Sequence, residues 1–342
     1  MKDVLGQKTS GKPLRAFVTG AAGFAGSHLT EFLIQDGFET YGTDLSERSL
    51  GSLPDVVREA KLVPCDVRDR EGISRIVSEV APHVVFHLAG VASVLRCERD
   101  PTLTIETNVM GSCNLLDAVR DNAPEARTIV ISSSEVCGKV TPEELPLGED
   151  TPVRPANLYG VTKASVELLS RLYVTRYGMD VVILRPFNHI GARQSPAFVC
   201  ADFASQIARM ERGLIPPRMD VGDLTVERDF TDVKDMVRGY VLAARRARSG
   251  ETYNLCSGRG YRIEQVLKAL LGYAEIPIEV HHDPAKLRAS EIPVLVGTAE
   301  KFARETGWYP ETPLETTLRD ILGYWRAEVA SAASVERSTQ VT

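Results

Sequence analysis

The sequence contains no long apolar run, no excess of positive charge and no paired cysteine motif, and each absence excludes a class of protein. None of its apolar runs approaches the about 18 residues that a membrane-spanning helix needs, so we expect no membrane partner. The segment Met1–Pro13 is polar and lacks the apolar centre of a secretory signal, which predicts a cytoplasmic location. A net charge of −6 leaves no basic footprint for nucleic acid.

Cysteine and histidine give no sign of a metal site or a disulfide framework. The six cysteines are scattered through apolar segments without a C-x-x-C pair, which predicts reduced thiols and no bound metal. His281 and His282 are adjacent and cannot share one helix face, so we expect them in a surface loop. With 43% hydrophobic and 25% charged residues among 342, the composition is that of an ordinary globular protein.

One stretch, Phe17–Leu29, predicts a buried strand, a tight glycine turn and the start of an apolar helix. Gly20 allows the turn, Gly23 lets backbone N–H groups approach a pyrophosphate, and Gly26 lets the helix pack on the strand. Phe24 and Ala25 lead into the predicted helix, whose free N–H groups and positive dipole end form an anion site. Asp44 ends the next predicted strand, where a carboxylate can accept the adenosine ribose hydroxyls of a dinucleotide.

Buried strands and helices alternate through the first half of the chain, which predicts right-handed crossovers and a parallel sheet covered on both faces. The fold class is therefore α/β, a doubly wound parallel Rossmann sheet with a smaller α/β C-terminal substrate domain. The predicted strands are 16–19, 39–43, 61–65, 84–88, 128–132, 180–184 and 253–255, and the predicted helices are 26–35, 70–80, 107–122, 158–177 and 232–247. The predicted domains are a tail at 1–14, a dinucleotide-binding domain at 15–186 plus 229–257, a smaller domain at 187–228 and 258–330, and a disordered tail at 331–342.

Two patterns predict proton chemistry. Tyr159 and Lys163 stand at i and i+4 of the long predicted helix, where an ammonium beside the phenol would lower the phenol pKa toward neutrality. The alternative is a solvated pair on a helix surface. Ser133 lies in a serine run just beyond a strand end, where open parallel sheets bind ligands; the alternative is a hydroxyl-rich loop that caps the strand.

Taken in order, these motifs resemble the extended short-chain dehydrogenases/reductases, over about residues 15 to 327. The ordered set is the glycine turn, Asp44, Asp66–Val67, His87–Gly90, Asn108, the serine run, Tyr159 with Lys163, and Arg185–Asn188. The resemblance implies that Ser133, Tyr159 and Lys163 form a catalytic triad, and that Lys163 also reaches the nicotinamide ribose. It implies that Asp66 and Val67 line the adenine, that Ala89, Gly90 and Val91 run under the cofactor, and that Asn108 supports the active-site helix.

The implied cofactor is NAD(H) or NADP(H). Asp44 favours NADH because its charge repels a ribose phosphate, whereas Arg48, four residues on, would tolerate that phosphate. The implied oligomer is a homodimer, since helices 107–122 and 158–177 resemble those that form a four-helix bundle in this family.

The second half resembles the GDP-mannose 4,6-dehydratase/GDP-4-keto-6-deoxymannose reductase branch, and the form R-D-F-T-D-V at 228–233 is most like the reductases. The resemblance implies a GDP-linked sugar substrate. Arginine forks suit its diphosphate, and the implied contacts are Asn188, Phe198, Val199, Arg228, Arg288 and Glu291. The alternatives are an ion pair of Arg228 with neighbouring aspartates and a helix-surface pair of Arg288 with Glu291. The family commonly has Pro-Gly at Ala192–Arg193 and proline at Ala289.

The activity expected from the resemblance is reduction of a 4-keto group, with Tyr159 as proton donor. Glu135 keeps a dehydratase open, because it stands two residues after Ser133, where dehydratases have the carboxylate that works near C5 and C6. A 4-epimerase would use the same triad. A dinucleotide sensor without catalysis is disfavoured, because such proteins tend to lose the Tyr/Lys pair and this chain keeps both.

Overall fold

A computed structural model of the chain describes residue 5 and residues 13–51, 53–286 and 292–339. The chain divides into two compact units. Unit 1 comprises residues 1–187, 234–255 and 297–309, and unit 2 comprises residues 188–233, 256–296 and 310–342.

The strands and helices are numbered in chain order. The strands are β1 (Arg15–Thr19), β2 (Glu39–Asp44), β3 (Lys61–Pro64), β4 (Val84–His87), β5 (Arg127–Ile131), β6 (Val181–Pro186), β7 (Asn188–Ile190), β8 (Arg218–Val221), β9 (Glu227–Asp232), β10 (Thr252–Leu255), β11 (Gly260–Arg262), β12 (Glu279–His282) and β13 (Val294–Leu295). The α-helices are α1 (Phe24–Gln35), α2 (Glu47–Gly51), α3 (Arg70–Val80), α4 (Val94–Arg99), α5 (Pro101–Ile105), α6 (Gly111–Asn122), α7 (Leu158–Tyr177), α8 (Val199–Glu211), α9 (Val233–Arg246), α10 (Ile263–Gly272), α11 (Glu300–Thr306) and α12 (Leu314–Thr339). A π-helical turn at Glu106–Met110 joins α5 to α6.

Unit 1 is built on a parallel sheet with the strand order β10-β6-β5-β4-β1-β2-β3. Every residue of β4, β5, β6 and β10 is buried, which requires cover on both faces of the sheet. Helices α3, α6 and α7 contribute to one core cluster with Phe17, Val85 and Val130 of the sheet. The predicted α/β fold with a doubly wound parallel sheet is confirmed.

Two helices of unit 1 show how local sequence fixes their bounds. Asp69 caps α3 by accepting the N–H of Gly72 at 3.0 Å, and α3 ends at Ala81 in the left-handed conformation. Asn157 caps α7 by accepting the N–H of Gly160 at 2.8 Å, and Gly178 ends it at φ 68°. Helix α7 therefore begins at the residue before Tyr159, which places the phenol at the start of the helix.

Unit 2 combines short strands with three helices. Strand β9 pairs with β7 and β13 in parallel and with β11 antiparallel, and β8 pairs with β12. Helices α8, α10 and α12 bury one hydrophobic cluster. Of the helices in the described ranges, none is both long enough and apolar enough to cross a bilayer.

The structure corrects the predicted organisation in three places. Residues 297–309 belong to unit 1, and residues 229–233 belong to unit 2. The first difference has a packing cause, because the ring of Phe302 lies 5.6 Å from Tyr253 and 5.7 Å from Trp308, and all three are buried. The tail predicted to be disordered from 331 is helical to Thr339, since alanine and the charged residues there favour helix.

Two smaller expectations are also corrected. The predicted helix 107–122 is interrupted by the π-helical turn, and the helical path begins earlier, at Pro101. His281 and His282 lie in the exposed strand β12 rather than in a loop, and His281 pairs with Asp220 at 3.2 Å. The six cysteines are free thiols, as predicted, and four of them are buried.

Candidate active site

The turn after β1 depends on two glycines. Gly20 has φ 72°, and a Cβ there would stand 2.8 Å from the backbone nitrogen of Ala89. A Cβ at Gly26 would stand 1.9 Å from the carbonyl oxygen of Gly20. Only glycine therefore lets the turn lie against Ala89 and lets α1 pack against the turn.

The start of α1 fits an anionic group. Gly23 is the N-cap residue and supplies no side-chain cap, and the first turn carries no acidic residue. Phe24 and Ala25 are half-buried at this N-terminus. Their N–H groups and the helix dipole suit a pyrophosphate, so the residues present fit the dinucleotide that the sequence predicts.

Asp44 lies beside the glycine turn. Its Oδ2 accepts the N–H of Ala22 at 3.0 Å, and its Oδ1 accepts the N–H of Leu45 at 2.8 Å. Each carboxylate oxygen keeps acceptor capacity, so Asp44 can hold the turn and still accept from a ribose hydroxyl. The side chain of Arg48 lies outside the described residues.

Asp66 has a partner that the sequence reasoning missed. Arg68 donates to Asp66 Oδ2 from Nε at 2.9 Å and from Nη2 at 2.6 Å, and these bonds hold the pKa of the Asp66 carboxyl below its usual value. Val67 is buried, and a Cβ at Gly111 would stand 2.6 Å from its side chain. Val67 therefore uses its side chain in the core, which leaves its main chain for the predicted adenine contact.

The segment Ala89–Val91, which follows β4, is held from the π-helical turn. Asn108 Oδ1 accepts the N–H of Val91 at 2.7 Å, and Asn108 Nδ2 donates to the Val91 carbonyl oxygen at 3.1 Å and to Thr162 Oγ1 at 3.0 Å. A Cβ at Gly90 would stand 3.0 Å from Asn108 Oδ1 and 3.9 Å from Lys163 Nζ. The structure thus brings this segment together with the glycine turn and with Lys163.

Ser133 follows β5, and its hydroxyl acts to lower the pKa of the Tyr159 phenol. Burial raises that pKa by more than Ser133 lowers it. Lys163 Nζ donates to the carbonyl oxygen of Ile131 at 2.7 Å and lies 5.8 Å from the centre of the Tyr159 ring. The expectation that Lys163 lowers the phenol pKa toward neutrality is therefore wrong for this structure, because the ammonium turns to the strand carbonyl and burial dominates.

Lys163 itself is buried, and burial lowers the pKa of its ammonium to about 8. The solvated helix-surface pair that the sequence left open is thus excluded. The Tyr159 phenol is therefore protonated at neutral pH, and the Lys163 ammonium loses its proton near pH 8.

Glu135 lies in the 3₁₀ turn Ser134–Cys137 that follows Ser133. Its Oε2 accepts from Asn157 Nδ2 at 2.9 Å, and its charge acts to raise the pKa of Tyr159. A Cβ at Gly160 would stand 2.7 Å from the Glu135 carbonyl oxygen, so glycine lets this turn approach α7. Asn157 was missed by the sequence reasoning, although its place before the helix is typical of an N-cap residue.

A buried ion pair lies behind the serine run. Arg185 donates to Glu167 from Nε at 2.8 Å and from Nη2 at 2.8 Å, and both side chains are 2% exposed. Ser132 Oγ donates to the same carboxylate at 2.7 Å. The Glu167 carboxylate thus joins α7 to β6 and to Ser132, the residue before Ser133.

The predicted substrate contacts lie in unit 2. Asn188 begins β7 and pairs with Phe230 of β9, and its buried Oδ1 has no hydrogen-bond partner among the described residues. Arg228 of β9 is half-buried and donates from Nη1 to the carbonyl oxygen of Glu227 at 2.9 Å. Phe198 is 37% exposed and precedes α8, which Val199 begins. Arg288 and Glu291 lie outside the described residues.

The chain is similar to known proteins over most of its length. The model of the GDP-mannose 4,6 dehydratase family matches residues 17–321. The chain is 35% identical over 315 residues to the GDP-6-deoxy-D-mannose reductase of Pseudomonas aeruginosa, which covers 92% of this chain and 98% of that one.

Two solved structures extend the similarity to three dimensions. The structure of RMD from Pseudomonas aeruginosa complexed with NADPH has a TM-score of 0.81 and 33% identity, and covers 92% of this chain and 99% of that one. The UDP-glucose 4-epimerase of Thermus thermophilus in complex with NAD has a TM-score of 0.81 and 31% identity, with the same coverage. The chain belongs to the GDP-mannose 4,6-dehydratase family of extended short-chain dehydrogenases/reductases, whose members are NAD(P)-dependent enzymes of nucleotide sugars.

Proposed function

We propose that the protein reduces the 4-keto group of a GDP-linked 4-keto-6-deoxyhexose with NADH or NADPH. The product would be GDP-D-rhamnose or its C4 epimer. The observation that carries the proposal is the position of Tyr159 at the start of α7, where buried Lys163 lies 5.8 Å from the centre of its ring. Burial favours the protonated phenol, and a reductase needs such a proton donor. The 35% identity to a GDP-6-deoxy-D-mannose reductase supports the same activity.

In this proposal the cofactor lies between the glycine turn and the Ala89–Val91 segment. The start of α1 holds the pyrophosphate, Asp44 accepts from the adenosine ribose, and Asp66 and Val67 line the adenine. When bound, the reduced nicotinamide supplies the hydride. We propose NADH as the preferred form, because the Asp44 carboxylate beside the turn repels a ribose phosphate.

The residues of α7 and the serine run carry the proton chemistry of the proposal. Tyr159 gives its phenol proton to the C4 oxygen as negative charge develops there. Ser133 donates a hydrogen bond to that oxygen, and its effect on the pKa of the Tyr159 phenol supports a place close to that phenol. Lys163 orients the nicotinamide ribose, and its bond to the Ile131 carbonyl oxygen holds α7 against β5.

The GDP-sugar is proposed to bind through residues of unit 2. Arg228 and Arg288 suit the diphosphate, since guanidinium forks match phosphate oxygens. Asn188 offers a side-chain carbonyl oxygen that no described residue uses. Phe198 and Val199 supply apolar contact, and Glu291 is the proposed acceptor from guanine or ribose.

A GDP-mannose 4,6-dehydratase is the second candidate, and Glu135 is the observation that favours it. Its carboxylate is held by Asn157 and acts to raise the pKa of Tyr159, which supports a role as the second base that a dehydratase needs. Another nucleotide-sugar 4-epimerase is the third, supported by the 31% identity to the UDP-glucose 4-epimerase of Thermus thermophilus.

We also propose that the protein forms a homodimer through α7 and the helical path that runs from the end of α5 into α6. Val161, Leu168 and Leu172 are exposed apolar residues along α7, and Ile105 and Met110 are exposed at the end of α5 and in the π-helical turn. Exposed apolar side chains grouped in this way are typical of an interaction surface.

One assay with two reactions tests the proposed function. The first contains GDP-mannose and oxidised cofactor, and the second contains GDP-4-keto-6-deoxymannose with NADH or NADPH. Cofactor oxidation in the second reaction alone, lost in the Tyr159→Phe variant, supports the reductase. A 4-keto product in the first reaction without net change of cofactor would replace it with the dehydratase. No turnover in either reaction would overturn the proposal that the substrate is a GDP-linked hexose.

A further inference from the structure

His87, the last residue of β4, joins two other buried side chains. Its Nδ1 lies 2.8 Å from Oγ1 of Thr19, the last residue of β1, and its Nε2 lies 2.8 Å from Oγ of Ser112 in α6. Thr19, His87 and Ser112 are all at most 3% exposed. The proposed reaction gives none of these three residues a task.

Only one arrangement of protons satisfies this chain of hydrogen bonds. The Ser112 hydroxyl donates to the carbonyl oxygen of Asn108, so its oxygen accepts from His87 Nε2–H. The Nδ1 atom of a neutral imidazole then accepts from Thr19, whose oxygen accepts the N–H of Ala89 at 3.3 Å. Burial and the nearby charge of Lys163 lower the pKa of His87 to about 3, which agrees with a neutral ring.

Both ends of the chain meet the segment that is expected to lie under the cofactor. Thr19 holds the N–H of Ala89 at one end. Asn108, whose carbonyl oxygen receives the Ser112 hydroxyl, holds both main-chain groups of Val91 at the other end. The same Asn108 amide reaches Thr162, whose hydroxyl donates to the Tyr159 carbonyl oxygen at 2.8 Å. His87 therefore joins Thr19, which holds Ala89, to Ser112, which is bonded to the Asn108 that holds Val91.

A fully satisfied polar chain of this kind fixes geometry more strictly than apolar packing does. If one member moved, its buried neighbour would lose its hydrogen bond and the free energy of the folded state would rise. Each member therefore fixes the position of the next. The segment has little freedom elsewhere, because Gly20 lies against Ala89 and Lys163 lies near Gly90.

We propose that His87 is a positioning residue for the nicotinamide cofactor, which as a neutral Nε2–H imidazole links Thr19 to Ser112 and so fixes the Ala89–Val91 segment on which the cofactor binds. The inference rests on the cofactor placement in the proposed function. It is independent of whether the enzyme is a reductase, a dehydratase or an epimerase.

The test measures the dissociation constant of NADH from its fluorescence on titration with the protein, without sugar substrate or turnover. His87→Leu removes both bonds and keeps volume, His87→Gln keeps a donor and an acceptor, and Ser112→Ala breaks the chain one residue away. Ser170→Ala is the matched control, because Ser170 is also a buried helix serine that donates to the carbonyl oxygen four residues earlier, at 2.8 Å. Circular dichroism verifies that each variant is folded.

His87→Leu is expected to raise the dissociation constant about tenfold, and Ser112→Ala about fivefold. His87→Gln should recover most of the affinity, and Ser170→Ala should match the wild type. The double variant His87→Leu/Ser112→Ala should bind no more weakly than His87→Leu, since both changes break one chain.

Affinities within twofold of wild type for Ser112→Ala and for folded His87→Leu would overturn the inference. An equal loss in Ser170→Ala would also overturn it, because the effect would then follow from any lost helix hydroxyl. If His87→Leu does not fold, the NADH dissociation constant of Ser112→Ala alone tests the inference. A wild-type protein that binds neither NADH nor NADPH would instead overturn the proposed function.

Discussion

Asn157 links the start of the helix that carries Tyr159 to the carboxylate of Glu135. Its Oδ1 accepts the N–H of Gly160 at 2.8 Å, while its Nδ2 donates to Glu135 Oε2 at 2.9 Å. One side chain thus caps α7 and fixes the direction of an acidic group near the phenol. The two tasks use different atoms of Asn157, so they can be separated by mutation.

Asn157→Ser should keep the cap and lose the bond to Glu135. Serine caps helices almost as well as asparagine, so the free energy of unfolding should change by only a few tenths of a kcal/mol, roughly. Turnover of the 4-keto sugar should stay within about twofold of wild type, because the proposed reduction gives Glu135 no step, whereas a dehydratase would lose about tenfold as its second base became free to rotate. Steady-state kinetics and denaturant unfolding of the same preparations measure both.

Asn157→Ala is the companion variant. It loses the cap as well and should cost about 1 kcal/mol more in stability than Asn157→Ser, with similar turnover. A tenfold fall of ketone reduction in Asn157→Ser would instead show that the position of Glu135 matters to that reaction.

Tyr159→Phe should lower turnover by about 10²-fold or more, because the proton donor to the C4 oxygen is removed. The fold and the NADH dissociation constant should stay close to wild type, since only one hydroxyl is lost. Ser133→Ala should have a smaller effect, about tenfold, because it removes a hydrogen bond rather than the proton. Unchanged turnover in Tyr159→Phe would show that another group donates.

The pH dependence of turnover should report Lys163. Its pKa is lowered to about 8, so the ammonium is present below that pH and is lost as the pH rises through it. The raised pKa of Tyr159 keeps the phenol protonated over the same range. We therefore expect kcat/KM for ketone reduction to be level at neutral pH and to fall above about pH 8.

Lys163→Arg provides the control for this pH profile. Arginine stays charged throughout the range, so the variant should be less active but should not show the fall near pH 8. The same fall in wild type and variant would assign the titration to a different group.

Much of this site follows from sequence, and the reasons are local. Gly20, Gly26 and Asp44 are fixed by a strand–turn–helix geometry that few residues satisfy, and the spacing of Tyr159 and Lys163 follows from helix periodicity. The parallel sheet follows from fully apolar strands such as Val84–Phe86 between helical segments.

Other features depend on contacts between distant residues, which no local pattern encodes. The ammonium of Lys163 turns to the carbonyl oxygen of Ile131 because the neighbouring strand offers that acceptor. The bond between Asn157 and Glu135 and the return of Phe302 and Trp308 to unit 1 likewise require the folded chain. The i, i+4 spacing of Tyr159 and Lys163 predicted a lowered pKa for the phenol. That direction is wrong because burial of the phenol raises the pKa, and residue spacing does not reveal burial.

Asp44→Ala should weaken NADH binding more than NADPH binding. The carboxylate is the proposed acceptor for the ribose hydroxyls of NADH, whereas a ribose phosphate is repelled by it. The loss of the bonds to Ala22 and Leu45 also loosens the turn, so both cofactors should bind more weakly, NADH by about tenfold. Fluorescence titration with each cofactor gives the ratio, and a larger loss for NADPH would show that Asp44 does not face the ribose of NADH.

Arg185→Met tests the ion pair behind the serine run. Removal of Arg185 takes away the guanidinium that makes two bonds of 2.8 Å to the Glu167 carboxylate, and leaves the more exposed Arg171 at 3.4 Å as its ion-pair partner. A buried carboxylate that loses its main partner costs about 3 kcal/mol, so the urea midpoint should fall clearly. The double variant Arg185→Met/Glu167→Leu removes both charges and should return to within about 1 kcal/mol of wild type.

Activity should separate from stability in the double variant. Ser132 Oγ donates to Glu167 at 2.7 Å, and this bond is lost even when the charges are removed together. The serine run next to Ser133 is then less firmly held, so turnover should stay below wild type although the fold is stable again. A double variant as unstable as Arg185→Met would instead indicate that packing around the guanidinium, not the unpaired carboxylate, accounts for the loss.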